Sequence, residues 1–222
     1  MASDLKGWDI FRNPVWLLRN LFAKYKVVSL QTYYWFTSTA GSGGLNIGPD
    51  RLNPYTGTTP NSLSLAQRST FGLNSGNGDI FAIDYSKRLE WYFTLARWNS
   101  DPQAVARIQL KNTSTEGALA NKGLGLEIQN YAVYGEAYGT ARNTISLMTL
   151  SDFSVVRVRI VHVPNSKVEF WINGIKLGEL TGTAVPTSVV TPSYYVISIR
   201  NGSTGGVDAN VGVGHIWLLQ EW

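Results

Sequence analysis

Glycoside hydrolysis needs two carboxylates across one sheet face, one as acid and the other as nucleophile or base. The glutamates that could form such a pair, Glu90, Glu127, Glu136, Glu169 and Glu179, stand isolated on separate stretches of the chain. No Glu-x-Asp-x-Glu string sets two of them on one strand, so only a pair drawn from different strands would serve a hydrolase. Nucleophilic triads fare worse. His162 and His215 both sit inside strand-like runs, where a structural or surface role outweighs that of general base, and no G-x-S-x-G turn marks a serine. Cysteine is absent, which excludes disulfides and thiolate metal sites. Asp50, Asp79 and Asp208 lie in Gly/Asn-rich loops that could offer oxygens to Ca²⁺, yet these are also ordinary turn formers. The expectation is no metal and no cofactor.

Aromatic side chains carry the clearer binding signal. Trp171 falls on the strand face opposite Val168, Phe170 and Ile172, while Tyr92 and Trp98 fall opposite Trp91 and Phe93. Tyr131, Tyr134 and Tyr138 form a second cluster. Flat rings exposed on a sheet suit sugar stacking or an interface anchor. The competing reading makes them packing residues beneath a covering segment.

The elements that must position these residues are strands. In Val155 to Gly182, Val156, Val158 and Ile160 alternate with Arg157, Arg159 and Val161, the period of a strand buried on one face. Pro164-Asn165-Ser166 breaks the run, Val168, Phe170 and Ile172 make a second apolar file, and Asn173-Gly174 reverses the chain as a two-residue hairpin. The stretch from Val27 to Phe36 is β-prone, and further strands are expected at 64–71, 79–84, 89–97, 105–110, 123–138 (two, turning near Asn130) and 145–150, with two more near the C-terminus. Residues 37–62 read as one long loop of turn residues. Near the N-terminus, Asn13-Pro14 is a helix start, followed by Leu18, Leu21, Phe22 and Tyr25 on one face. A short amphipathic helix over 14–25 is therefore expected, either capping the sandwich or docking Trp16, Leu17, Leu21 and Phe22 against a neighbouring subunit.

Composition excludes several classes. The net charge of +4 comes from scattered Lys and Arg with no run fit for a phosphate backbone, so nucleic acid is not the partner. Charges interrupt the apolar side chains of residues 1–30, so neither a signal peptide nor a membrane span is expected there. Charged residues are only 15% of the chain, which leaves a neutral, aromatic-rich surface.

The order GLGLEIQNYAVYGEAY, then FSVVRVRIVHVPNSKVEFWINGIKLGELTG, then an aromatic strand and a closing strand, resembles the concanavalin A-like lectin/glucanase sandwich, including laminin-G-like modules. That resemblance implies an all-β, two-sheet antiparallel jelly roll over residues 30–222; the arm over residues 1–29, with the short helix read from its own spacing, precedes it. It is specific for fold and poor for function, since lectins, glycosidases, adhesion modules and virion proteins share the architecture. The leading expectation is a non-catalytic structural or attachment protein of a virus or phage particle, assembled in a host cytoplasm as a homo-oligomer or with other virion subunits. A carbohydrate-binding module, secreted or extracellular, is the alternative, ahead of a glycosidase.

Overall fold

A computed structural model of the chain describes residues 25–29, 35–48, 51–71, 82–98, 102–204 and 206–221. Seventeen strands run through them. They are β1 (Tyr25–Ser29), β2 (Phe36–Ala40), β3 (Gly44–Ile47), β4 (Arg51–Tyr55), β5 (Leu63–Phe71), β6 (Ile83–Asp84), β7 (Leu89–Trp98), β8 (Val105–Lys111) and β9 (Gly123–Gln129). β10 (Ala132–Tyr138), β11 (Arg142–Thr149), β12 (Val155–Val163), β13 (Lys167–Ile172), β14 (Ile175–Thr181), β15 (Val189–Val190), β16 (Ser193–Arg200) and β17 (Asn210–Glu221) complete the set. The larger sheet has the order β14-β13-β12-β7-β17-β4-β3, with β1 also paired to β17. The second has the order β11-β10-β9-β8-β16-β5-β2, and β6 with β15 makes a small separate ribbon. All of these pairs are antiparallel.

Alternation decides which side chains meet between the sheets. Leu89, Trp91, Phe93 and Leu95 of β7 face Ile108, Leu110, Leu124, Leu126 and Ile197 of the second sheet in one continuous core. Trp91 stacks edge-on to Tyr195, with centroids 5.0 Å apart, and Trp35 meets the same Tyr195 at 5.0 Å. Phe170, fully buried, lies over Gly135, where a Cβ would come within 2.8 Å of the ring. That close approach is why β10 carries a glycine on its core face. The apolar files of the 155–182 meander, Val156, Val158, Ile160, Val168, Phe170 and Ile172, all enter this core as their period requires. Asn173 (φ +51°) and Gly174 (φ +84°) turn the β13–β14 hairpin with the positive dihedrals of a primed turn.

Two features differ from the sequence expectations, and a third expectation falls almost wholly outside the described residues. Residues 37–62 are not one loop, because β2, β3 and β4 lie among them. Those strands are short and polar, and Pro54 within β4 masks the period. Among the described residues sheet pairing begins at Tyr25, two residues ahead of the β-prone stretch and ahead of the sandwich start expected at residue 30, because β1 adds to the half of β17 that β4 leaves open. The helix expected over 14–25 lies outside the described residues except for Tyr25, which opens β1. The docking candidates Trp16, Leu17, Leu21 and Phe22 also lie outside them.

Candidate functional site: a polar cleft on the larger sheet

β3, β4 and the start of β17 carry Asn46, Asn53, Tyr55 and Asn210 on the face turned away from the core. With Arg51 and Asp208 they line a cleft of about 330 Å³ without one aliphatic side chain. Tyr55 lies back across β3 because Gly44 is its pairing partner; a Cβ there would sit 2.3 Å from the phenol oxygen. Asp208 is fixed at the rim by the Gly57 N–H, which donates to its Oδ1 at 2.7 Å. Beneath the cleft, the fully buried Arg97 donates from Nη1 to the Asn210 carbonyl at 3.0 Å and from Nε to the Asn130 carbonyl at 3.2 Å. It thereby ties the start of β17 to the β9–β10 turn. Next to the cleft, Gly212 and Gly214 continue the strand face on which Asn210 points, and both are buried.

Two atoms give the cleft its chemical character. Asn53 Oδ1 and Asn210 Oδ1 are buried and accept no hydrogen bond. An amide oxygen left this way costs on the order of 1–3 kcal/mol. As they stand neither oxygen is open to solvent, so a ligand's hydroxyl donors would remove that cost only with a turn of the amide toward the cleft. The sequence signal was weak, for Asn46 and Asn53 lie in the stretch that reads as loop and Asn210 just ahead of the closing strand.

The aromatic candidates divide. Tyr92 is 2% exposed, its hydroxyl donates to Glu90 and its ring carries the Arg159 guanidinium at 5.6 Å, so it presents no free face. Trp171 is half-buried; Arg159 also covers it, at 5.5 Å, and its Nε1–H donates to Glu169 at 3.2 Å. Arg159 is thus held between two rings and above Glu90, at 2.8 Å from Oε2. Trp98 ends β7 with its Cα paired to Asn210, which places its backbone beside the cleft. Tyr134 and Tyr138 flank Glu136 on the outer face of the second sheet, whereas Tyr131 sits apart at the β9–β10 turn with its hydroxyl on Asp152.

On that outer face the fold does bring two carboxylates together. Arg142 Nη2 lies 3.0 Å from Glu127 Oε2 and 2.9 Å from Glu136 Oε2. Arg107 bridges Glu127 (2.8 Å) and Glu116 (2.7 Å), Gln109 donates to Glu136 at 2.6 Å, and Arg200 reaches Glu116 at 3.2 Å. Glu136 is 0% exposed. Burial works to raise the Glu127 pKa, but the Arg107 guanidinium, the Gln129 amide and Arg142 outweigh it and hold the carboxyl below the ordinary range. A general acid for glycoside cleavage needs the opposite shift. Lys111, on the same face, is pushed down to about 8 by burial, against the pull of Glu136, and donates to the Gly117 carbonyl at 3.3 Å.

His162 is buried with its ring nitrogens 3.2 and 2.8 Å from the Lys87 and Pro186 carbonyl oxygens, and burial holds its pKa below the usual value. His215 (φ +48°) occupies the bulge of β17. Among the described residues no three His, Cys, Asp or Glu side chains gather as a metal site. Of the Ca²⁺ candidates, Asp208 lines the cleft, and Asp50 and Asp79 lie outside the described residues.

A scan of protein-family models finds no match, and no curated protein matches the sequence. Solved structures do resemble the fold. A protein of unknown function from Shewanella oneidensis MR-1 superposes with TM-score 0.61 at 14% identity, over 89% of this chain and 87% of its own. The endo-β-1,4-glucuronan lyase of the fungus Trichoderma reesei gives TM-score 0.56 at 15% identity, covering 86% and 93%. A botulinum neurotoxin type C structure, whose cell entry depends on two ganglioside molecules, gives 0.57 at 12% identity, over 90% of this chain and 49% of that one. These neighbours include an enzyme and a binding protein, and what they share with this chain is the two-sheet β-sandwich, in keeping with a concanavalin-like jelly roll.

Proposed function

We propose that this chain is a non-catalytic carbohydrate-binding module whose site is the polar cleft on the larger sheet. The observation that carries this reading is the pair of buried, unpartnered amide oxygens, Asn53 Oδ1 and Asn210 Oδ1, in a cleft lined wholly by amide, carboxylate, guanidinium and phenol groups. Such a surface matches a polyol, which supplies several hydroxyl donors and acceptors at fixed spacing. The likeness to a ganglioside-dependent toxin fold supports the same class of ligand. The carboxylate pair on the other sheet supports no competing hydrolase, since both of its members share one guanidinium. Presented on a virus or phage particle, the module would serve attachment, and the docking side chains expected ahead of β1, Trp16, Leu17, Leu21 and Phe22, are testable by a truncation that stops short of Tyr25.

The test is a glycan array followed by calorimetric titration of the bound sugars. Wild type is expected to bind, and the double variant Asn53→Ala/Asn210→Ala to lose at least tenfold in affinity, about 1.4 kcal/mol. The same variant should melt no lower than wild type, because each alanine removes an unsatisfied polar atom. Silence of the wild type across a broad array, or full binding by the double variant, would sink the proposal.

A further inference from the structure

Phe153, in the β11–β12 loop, has φ +58° and is 66% exposed. A bulky side chain in the left-handed region is an outlier that the surrounding structure must enforce. The enforcement is visible. The Phe153 N–H donates to the Arg97 carbonyl at 3.0 Å, and Ser154 donates from its N–H (3.2 Å) and Oγ (2.6 Å) to the Ser151 carbonyl. Tyr131 O–H reaches Asp152 Oδ1 at 3.1 Å, and the Leu150 N–H donates to the Tyr131 carbonyl at 2.9 Å. Burial of the ring does not repay the strain, since the ring is mostly in solvent. An energetically costly backbone that holds an aromatic ring out in water is the signature of a contact residue.

Its position relates it to the cleft. Arg97 O receives Phe153 on one side of β7, while Arg97 pairs with Val211, next to Asn210, on the other. Two strand spacings, roughly 10 Å, therefore separate the backbone of Phe153 from the start of β17. That is longer than a single sugar ring.

Resting on the glycan reading of the cleft, we infer that Phe153 is a second, aromatic subsite: its ring stacks on the apolar face of a further sugar in the same chain, so the ligand is an oligosaccharide crossing the end of β7. Chain length, not only sugar identity, then sets affinity. The Tyr131–Asp152 bond makes Tyr131 a positioning residue for this ring.

The experiment compares wild type, Phe153→Gly, Phe153→Asn and Asn53→Ala on an array printed with length series of cello-, manno-, N-acetyllactosamine and uronic oligosaccharides. In the series that binds, Phe153→Gly is expected to weaken the longer members roughly tenfold and leave the shortest unchanged, the size of one aromatic contact. Because glycine accepts φ +58° freely, the same variant should raise Tm by roughly 2–4 °C, and asparagine should behave alike. Unchanged length preference in both Phe153 variants, with Asn53→Ala still weakening binding of every length, overturns this inference and leaves the cleft reading standing. Binding of no series by wild type overturns both.

Discussion

Arg142→Ala is expected to destabilise the fold by about 3 kcal/mol or more, at the low end of the range for removing one partner from a buried ion pair. Arg142 is the only described cation bonded to both Glu127 and Glu136, and Glu136 would keep Gln109 as its one hydrogen-bonded side-chain partner. Glu127 still holds Arg107, which limits the loss. Chemical denaturation should show the drop, and thermal melting a fall of roughly 6–12 °C. Adding Glu136→Gln to Arg142→Ala removes the stranded charge and should recover part of it; full additivity of the two would contradict the network. Ion pairs on both sheets also make the fold acid-labile. Glu90 and Glu127 sit below the ordinary carboxylate range, and Glu169 is pushed down to about 2, where burial is outweighed by Lys167, Lys176 and Trp171. Carboxylates depressed in the folded state bind fewer protons than in the unfolded state, so their stabilisation is present above about pH 4.5 and is lost as pH falls toward the folded values.

Arg97→Ala is expected to cost about 3–5 kcal/mol by a different route. Its side chain is among the largest that are fully buried, so truncation opens a cavity, and the carbonyls of Asn130 and Asn210 lose their donors. Loss of the buried cation refunds some desolvation, which is why Arg97→Met, filling the volume but donating nothing, should cost only about 1–2 kcal/mol. Both variants should weaken binding at the cleft by loosening the start of β17. Arg97→Ala matching wild type in a urea melt would contradict the role given to this residue.

Much of the fold was legible because alternation is a local signal. The files of β7, β12 and β13 announce their buried faces, and Asn173-Gly174 announces its hairpin. β2 and β3 escaped notice because they are edge strands of Gly, Asn, Ser and Thr with little apolar period, and β4, inside the sheet between β17 and β3, because Pro54 argues against a ladder strand. The cleft was hidden with them. Asn46, Asn53 and Asn210 gain meaning only when β17 returns from the far end of the chain to pair with β4. Glu127 and Glu136, isolated in sequence, meet because β9 and β10 pair in a register that puts both on one face. The aromatic candidates fail differently: period places Tyr92 and Trp171 on the outer face correctly, but nothing local reveals that Arg159 lies between them. Phe153 carried no signal at all, since a positive φ on phenylalanine is a product of the loop's long-range hydrogen bonds.

The two sheets offer rival sites, and one measurement separates them. Side-chain amide signals of Asn53 and Asn210, followed by nuclear magnetic resonance while an array-positive oligosaccharide is titrated, should shift in a saturable manner, with Gln109 beside Glu136 unmoved. Saturable shifts confined to Gln109 and its neighbours on the second sheet, with the two asparagines silent, would contradict the assignment of the cleft.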